Sequence, residues 1–195
     1  REDALAVLRR LRDAGQVAYF AGGCVRDMLL EIEPKDFDVA TDAPPQRVRE
    51  LFPHSQAVGA AFGVVLVQQG RSAVEVATFR SDGTYLDGRH PTTVRFTSAE
   101  HDAQRRDFTV NGLFFDPLSD RVIDYVGGEA DLRAHLLRAI GDALARFDED
   151  HLRMLRAVRF AARFNFEIET TTADALSAEA DKLKRITPER IADEM

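Results

Sequence analysis

The chain has 195 residues, of which 45% are hydrophobic and 30% are charged, and its formal net charge is −7. This composition is typical of a globular protein with one large or two small domains, and it excludes a protein that coats nucleic acid through bulk positive charge. The sequence has no apolar run long enough to span a bilayer and no signal-peptide pattern, so a cytoplasmic location is expected. The single cysteine, Cys24, excludes an internal disulfide framework and a cysteine-based zinc site.

The first part of the chain predicts alternating helices and strands. Hydrophobic periodicity, glycines, prolines and capping residues place the element boundaries. In chain order the predicted elements are a helix over 1–15, a strand over 16–23 that runs into a glycine pair, a helix over 24–32, a strand over 35–40, a short helix over 41–53, and a β-hairpin of 62–70 with 72–79 around Gly70 and Arg71.

The second part of the chain predicts a change from mixed structure to helices only. The predicted elements are a polar, glycine-rich loop over 80–94, a helix over 98–116 with an arginine pair in its middle, a strand and turn over 120–128, and helices over 149–164, 171–183 and 187–195. The fold class is therefore α+β, with a mixed or antiparallel sheet flanked by helices in residues 1–146 and an all-helical domain in residues 147–195. Both ends fall within helical patterns, so we expect the chain to be part of a longer polypeptide.

The segment FAGGCVRD (20–27) has the features of a phosphate-binding turn. A strand, two glycines and a helix start present free backbone N–H groups, and small residues let a phosphate approach the backbone closely. Gly22 and Gly23 would form this cradle, and Arg26 would add a charged, forked donor. A tight strand-to-helix turn requires small residues in any case, so a purely structural role for the glycines is the alternative.

The segment KDFDVAT (35–41) places Asp36 and Asp38 two residues apart. Phe37 and Val39 alternate with them, so both carboxylates project from one face of the predicted strand. Two like charges about 6–7 Å apart repel each other unless a cation lies between them. Mg²⁺ binds through one or two carboxylates together with substrate phosphates, and paired ions serve displacement at phosphorus. The cradle and the Asp-x-Asp pair together predict nucleotidyl transfer, whereas two incidental carboxylates at a strand edge are the alternative.

Six segments then occur in the order found in one family. They are GGCVRD (22–27), KDFDVAT (35–41), VEVATFR (74–80), RRDFTVNGLFF (105–115), DYVGGEADL (124–132) and EDHLRMLRAVRFAARF (149–164). In this order the chain resembles the class II tRNA nucleotidyltransferases and bacterial poly(A) polymerases of the DNA polymerase β superfamily. The resemblance implies that residues 1–146 form a nucleotidyltransferase head and that residues 147–195 form a helical neck.

The resemblance implies roles for the residues of the head. Asp36 and Asp38 would be the catalytic, metal-binding pair for two Mg²⁺ ions, and Gly22, Gly23 and Arg26 would hold the triphosphate. A third carboxylate often completes such sites, and Glu75 is the candidate, with Asp107 as its rival. Further residues that the resemblance assigns to the ribose and phosphates of the incoming nucleotide are Arg106, Asp107 and Asn111.

In the neck, four arginines form a stripe along the flank of the predicted helix over 149–164. Such a stripe is usually a solvated face, but the resemblance assigns it to the nucleotide. Asp150 and Arg153, three residues apart, would lie side by side on the helix. A carboxylate accepting from an exocyclic amine and a guanidinium donating to a ring nitrogen would select CTP and ATP over GTP and UTP. Arg156 and Arg159 would follow the triphosphate or steady that pair.

The resemblance covers several activities on an RNA 3′ end. CCA-adding, CC-adding and A-adding enzymes and poly(A) polymerases share the six segments. The short segment DGTYLDGRHP (82–91) resembles the flexible loop of CCA-adding enzymes, so CCA addition to tRNA is favoured over polyadenylation. A nucleotide-binding module without activity is the non-enzymatic alternative.

Other polar residues receive structural interpretations. Arg105 is expected to be a solvated helix residue, and Gly127 and Gly128 are expected to meet backbone requirements of a turn. Lys182, Lys184 and Arg185 are interpreted as an ordinary solvated helix end.

Overall fold

The structure is a computed structural model that describes residues 1–59, 62–70, 72–85 and 91–194. The strands are β1 (Ala18–Ala21), β2 (Val39–Thr41), β3 (Ser55–Gly59), β4 (Val64–Gln69), β5 (Ser72–Thr78), β6 (Arg80–Asp82), β7 (Val94–Phe96), β8 (Phe114–Asp116), β9 (Arg121–Ile123), β10 (Leu136–Leu137) and β11 (Glu167–Ile168). Seven of them form one sheet in the order β3-β4-β5-β2-β1-β8-β9. Its neighbouring strands are antiparallel except for the parallel pair β2–β5, so the predicted mixed sheet is confirmed.

Helices cover the sheet and extend beyond it. They are α1 (Glu2–Asp13), α2 (Gly23–Leu29), α3 (Pro45–Leu51), α4 (Ala99–Gln104), α5 (Gly128–Arg133), α6 (Ala143–Glu149), α7 (Leu152–Phe164), α8 (Thr170–Glu179) and α9 (Pro188–Glu194), with 3₁₀ turns at Thr109–Asn111 and Ala180–Arg185. Among the described residues, no helix is both long and apolar enough to span a membrane.

Helix α1 shows how the pattern of apolar residues fixes the packing. Val7, Leu8 and Leu11 recur at helical spacing, and all three are fully buried. They share one apolar cluster with Phe20 of β1 and Val39 of β2. Each such buried side chain stabilises the fold by roughly 1.5–3 kcal/mol, so α1 anchors β1, which precedes Gly22 and Gly23, and β2, which follows Asp36 and Asp38.

The apolar core is continuous across the predicted boundary between head and neck. Phe147, Met154 and Phe160 from the helical part belong to the same cluster as the residues of the sheet. The predicted boundary at 146/147 falls inside α6, and it stays a prediction. The helical part also contains β11, which pairs in parallel with β10, because Asn165 ends α7 with φ of 53° and turns the chain into an extended segment.

Several predicted elements differ in extent from the structure. The predicted helix over 98–116 is wrong beyond Gln104, because the Asp107 side chain accepts the N–H of Phe108 at 2.8 Å and holds a turn instead. The predicted loop over 80–94 begins with β6 and ends at the first residue of β7, which pairs antiparallel with β6; its residues 86–90 lie outside the described residues. The predicted strand over 35–40 begins only at Val39.

The β4–β5 hairpin and the backbone roles of Gly127 and Gly128 are confirmed. Strands β4 and β5 pair antiparallel from Val64↔Ala77 to Gln69↔Ser72; Arg71 of the turn lies outside the described residues. Gly127 has φ of 81°, and a Cβ on Gly128 would stand 2.2 Å from the Thr109 carbonyl oxygen. Both glycines therefore meet backbone requirements, as predicted.

Candidate active site

A cavity of about 610 Å³ opens between the sheet and helix α7. Every predicted site residue except Asp36 lines it. Those lining residues are Gly22, Gly23, Arg26, Asp38, Glu75, Arg106, Asp107, Asn111, Asp150, Arg153, Arg156 and Arg159. The fold thus brings together residues from five of the six segments. Asp36 lies in an adjoining cavity of about 460 Å³, and Asp38 and Glu75 line both cavities.

Asp38 and Glu75 form the acidic wall of the site. Val39 pairs directly with Val76 across the parallel strands β2 and β5. Asp38 and Glu75, which come immediately before these two residues, are therefore neighbours across the sheet. Both side chains are accessible to solvent in the open cleft. The walls of the cleft nevertheless desolvate the Asp38 carboxylate, and this burial raises the pKa of Asp38 to about 6. Repulsion from Glu75 and Asp36 also raises this pKa, whereas attraction by Arg106 lowers it.

These carboxylates fit a hard divalent cation. Within the described part of the chain, no group of three or more His, Cys, Asp or Glu side chains is already gathered as a metal site. The oxygen donors of Asp36, Asp38 and Glu75 are of the type that Mg²⁺ prefers. Glu75 and Asp36 both repel the charge of Asp38, and a bound cation would relieve this repulsion. Of the two candidates for a third carboxylate, Glu75 is the one whose charge acts on Asp38.

Gly22 lets Arg106 enter the site. It precedes α2 with φ of 72° and ψ of −127°, a conformation that L side chains rarely adopt. A Cβ at this position would stand 2.7 Å from Nη1 of Arg106, which donates to the Asn111 carbonyl oxygen at 3.2 Å. Gly23 is helical, and a Cβ there would meet Nη2 of Arg26 at 3.6 Å, an ordinary contact. The backbone conformation and the approach of Arg106 therefore require a glycine at position 22, whereas neither requires one at position 23.

A buried polar network connects α2, the 3₁₀ turn and α7. Arg26 donates to Asp27 through Nε at 2.8 Å and Nη2 at 2.6 Å, and to the Asn111 Oδ1 through Nη1 at 2.6 Å. Asn111 donates to Asp107 at 3.0 Å, and Arg156 donates to the other oxygen of Asp107 at 2.8 Å. Burial opposes the charge of Asp107, but Arg156, Asn111 and a backbone N–H together hold its pKa below the ordinary value. Both oxygens of Asp107 are therefore occupied by hydrogen bonds that position Asn111 and Arg156.

Asp102 of α4 organises the arginine pair. It is 2% exposed and accepts from Arg105 at 2.9 Å and from Arg106 at 3.0 Å. Burial opposes its charge, but Arg106 and then Arg105 hold the pKa of Asp102 below its ordinary value. Arg105 also lies 3.7 Å from Asp82 and lines the cavity. The prediction that Arg105 is a solvated helix residue is therefore wrong.

Asp150 and Arg153 line the cavity but do not lie side by side on one helix, as the sequence predicted. Asp150 has an extended backbone between α6 and α7, and its side chain accepts the N–H of Leu152 at 3.1 Å. Arg153 donates to Glu149 at 2.6 Å and to the Arg146 carbonyl oxygen at 3.1 Å. The continuous helix predicted over 149–164 is broken at Asp150, so the two residues enter the cavity from a loop and a helix.

Helix α9 supplies partners that the sequence reasoning missed. Arg190 donates to Asp150, and Glu194 accepts from Arg159 at 2.7 Å and lies 3.5 Å from Arg156. The sequence did contain a sign of this role, because Arg190 and Glu194 are four residues apart and so share one face of the predicted helix. Lys182 and Lys184, which precede α9, form ion pairs with Asp148, Glu179 and Asp181.

Comparison with known proteins places these features in a family. Residues 18–138 match the model of the poly A polymerase head domain, and residues 165–195 match a probable RNA and SrmB-binding site of polymerase A. The chain is 44% identical to the CCA-adding enzyme of Lactobacillus helveticus (98% of this chain, 48% of that protein) and 45% identical to poly(A) polymerase I of Salmonella typhi (99% of this chain, 44% of that protein).

A solved structure supports the same family. The Bacillus stearothermophilus CCA-adding enzyme in complex with CTP superposes with a TM-score of 0.90 at 39% identity, over 100% of this chain and 47% of that one. The chain therefore spans about half the length of the relatives that it matches.

Proposed function

This chain belongs to the poly A polymerase head domain family, and on that premise we propose that it transfers nucleotides from CTP and ATP to the 3′-hydroxyl of an RNA. One observation carries the proposal. A single cavity has the Asp38 and Glu75 carboxylates on one wall and the arginines of α7 on the other. Carboxylates suit a metal-assisted reaction at phosphorus, and arginines suit a triphosphate.

The proposed reaction replaces a phosphoanhydride bond of the nucleotide with a phosphodiester bond to the RNA. The 3′-hydroxyl of the RNA loses its proton to solvent, and its oxygen forms a bond to the α-phosphorus. The bond from that phosphorus to the bridging oxygen breaks, and pyrophosphate leaves with the electron pair. We assign Asp36 and Asp38, completed by Glu75, to two Mg²⁺ ions. When bound, these ions would raise the nucleophilicity of the hydroxyl and neutralise the leaving group.

The remaining residues bind and orient the nucleotide in this proposal. Gly22, Gly23, Arg26 and Arg106 surround the phosphates, and Asp107 and Asn111 hold the arginines in place. Asp150 and Arg153 read the base: the carboxylate accepts from the amine of cytosine or adenine, and the guanidinium donates to the adjoining ring nitrogen. Guanine and uracil would leave both groups unmatched, which costs enough free energy to discriminate.

We favour CCA addition to tRNA over polyadenylation. The two named relatives have these different activities at nearly equal identity, so identity does not separate them. The short segment over 82–91 supports CCA addition through its likeness to the flexible loop of CCA-adding enzymes. The resemblance to a structure in complex with CTP supports a cytidine substrate.

Primer extension with Mg²⁺ and one labelled nucleotide at a time tests the proposal. Three primers are needed: a tRNA lacking its 3′ end, the same tRNA ending in CC, and an oligo(A). We expect two C residues on the first, one A on the second, and no long A tract on the third. Long A tracts with CTP ignored would establish polyadenylation instead.

Two variants separate an enzyme from a nucleotide-binding module. Asp38→Asn should abolish extension, while Asp13→Asn, an exposed carboxylate at the end of α1, should not change it. Binding of CTP and ATP by the unmodified protein without extension of any primer would support the binding module and contradict the enzyme.

A further inference from the structure

Arg163 differs from the other arginines that line the cavity. Each of those other arginines is paired with a carboxylate; they are Arg26, Arg80, Arg105, Arg106, Arg153, Arg156 and Arg159. Arg163 lines the same cavity, yet it forms no ion pair and no hydrogen bond with any described residue through its guanidinium. A cation that the protein leaves unneutralised inside a binding cavity is available to a ligand anion.

The guanidinium of Arg163 is held in place, although it is exposed. It stacks on the ring of Phe164, with its central carbon 5.0 Å from the ring centroid, and Arg26 contacts the same ring at 4.5 Å. The two cations are close enough for the charge of Arg163 to contribute to lowering the pKa of Arg26, after the larger effect of burial. Arg26 is neutralised by Asp27, whereas no described carboxylate pairs with Arg163.

The position of Arg163 along α7 indicates which part of a nucleotide it would meet. Arg153 and Arg163 lie ten residues apart on the same helix, which corresponds to about 15 Å along its axis. Arg153 belongs to the end at which we place the base. Arg163 shares the Phe164 ring with Arg26, and Arg26 in turn lies beside Gly23, at the end that we assign to the phosphates.

We propose that Arg163 binds the outer phosphates of the incoming nucleoside triphosphate, β or γ, as an additional substrate-binding residue. The inference rests on the proposed function. It distinguishes Arg163 from Arg156 and Arg159, which the structure engages with Asp107 and Glu194. The other role open to Arg163 is structural, because a cation in the last turn of a helix interacts favourably with the helix dipole.

The test is the affinity of the protein for CTP and for CMP, measured by calorimetry without primer. Arg163→Ala should weaken CTP binding about tenfold and leave CMP binding unchanged, because CMP lacks the outer phosphates. Arg163→Lys should recover part of the loss. Arg49→Ala is the matched control, since Arg49 is exposed, lies in the last turn of α3 and is not among the residues that line the cavity.

The outcomes separate this inference from the proposed function. Unchanged CTP affinity in Arg163→Ala, or equal losses for CTP and CMP, would overturn the inference. A loss of affinity for primer RNA with CTP binding intact would place the phosphate on the RNA and would also overturn it. If the unmodified protein bound neither CTP nor ATP, the proposed function itself would fail.

Discussion

Arg190 of α9 donates from Nη2 to both carboxylate oxygens of Asp150, at 2.9 Å and 3.1 Å, across 40 residues of sequence. Both side chains are largely buried, with 18% and 20% of their surfaces exposed. Because Asp150 lies in a loop between two helices, this ion pair and the N–H of Leu152 together fix the direction of its carboxylate. Helix α9, at the far end of the predicted neck, therefore holds one of the groups to which we assign base recognition.

Removing Arg190 should reduce the selection of the base. In Arg190→Gln, Asp150 loses its charged partner, and we expect discrimination between CTP and UTP to fall about tenfold. The measurement is kcat/KM for each nucleotide on a tRNA lacking its 3′ end. The control is Arg133→Gln, because Arg133 pairs with Glu129 on the surface and its side chain is 75% exposed. A lower stability with an unchanged CTP/UTP ratio would contradict a role for Arg190 in positioning Asp150.

The raised pKa of Asp38 predicts how stability depends on pH in the metal-free protein. Since the pKa rises from 3.8 to about 6 on folding, the folded chain binds more protons than the unfolded chain between these values. The contribution of Asp38 to stability is therefore lost as the pH rises through this window. Glu75→Gln removes one repelling charge, so we expect a lower pKa of Asp38 and a higher melting temperature at neutral pH.

Carbon NMR of the Asp38 carboxyl group, with thermal unfolding, checks this prediction. Glu33→Gln is the control, because Glu33 is an exposed carboxylate that is not among the charges acting on Asp38. An unchanged pKa of Asp38 in Glu75→Gln would show that the two carboxylates do not interact. Added Mg²⁺ should lower the pKa of Asp38 in the unmodified protein, since a cation favours the ionised form.

The sequence predicted the features that depend on local pattern. The segments of β4 and β5 are rich in β-forming residues and flank the turn at Gly70 and Arg71, and this pattern indicated the hairpin. The residues that meet in the cavity were predicted from motifs, whose order identified the family. Local pattern also predicted one continuous helix over 149–164, and that prediction failed. The break at Asp150 depends on its bonds to Leu152 and to Arg190, and the second partner is distant in sequence.

Arg105 shows why charged residues on a helix were harder to predict. A single sequence gives no sign of which cations will face a buried carboxylate. Asp102 is three residues before Arg105 and resembles an ordinary surface partner, yet the fold buries it. Asp82 comes from β6, on a different part of the chain. Tertiary packing decides whether such pairs are solvated or organise a site.

Asn111 should be important for stability as well as for nucleotide binding. It is 6% exposed and joins Arg26 to Asp107, so Asn111→Ala leaves two buried charged groups short of one partner each. We expect a loss of about 2–4 kcal/mol in the free energy of unfolding. Urea denaturation measures it. Asn165→Gly is the control, because Asn165 has φ of 53° at the end of α7 and glycine adopts this conformation readily. Equal, small effects of both substitutions would contradict the network.

Gly22 and Gly23 allow a paired test of the turn before α2. Gly22→Ala imposes a side chain on a backbone with φ of 72°, at a cost of about 1–3 kcal/mol, and its Cβ would displace the Arg106 guanidinium, which is 2.7 Å away. Gly23→Ala introduces a Cβ with ordinary contacts at a helical position, where alanine is favoured over glycine. We therefore expect a lower melting temperature only for Gly22→Ala.

Nucleotide binding should separate the two effects of Gly22→Ala. Displacement of Arg106 should weaken CTP binding in Gly22→Ala, and Arg106→Ala combined with Gly22→Ala should cause little additional loss, because both changes remove the same contact. Calorimetry of the two single variants and the double variant measures this. Fully additive losses would mean that Gly22 acts on the nucleotide directly through its backbone, and that the approach of Arg106 to this glycine is incidental to binding.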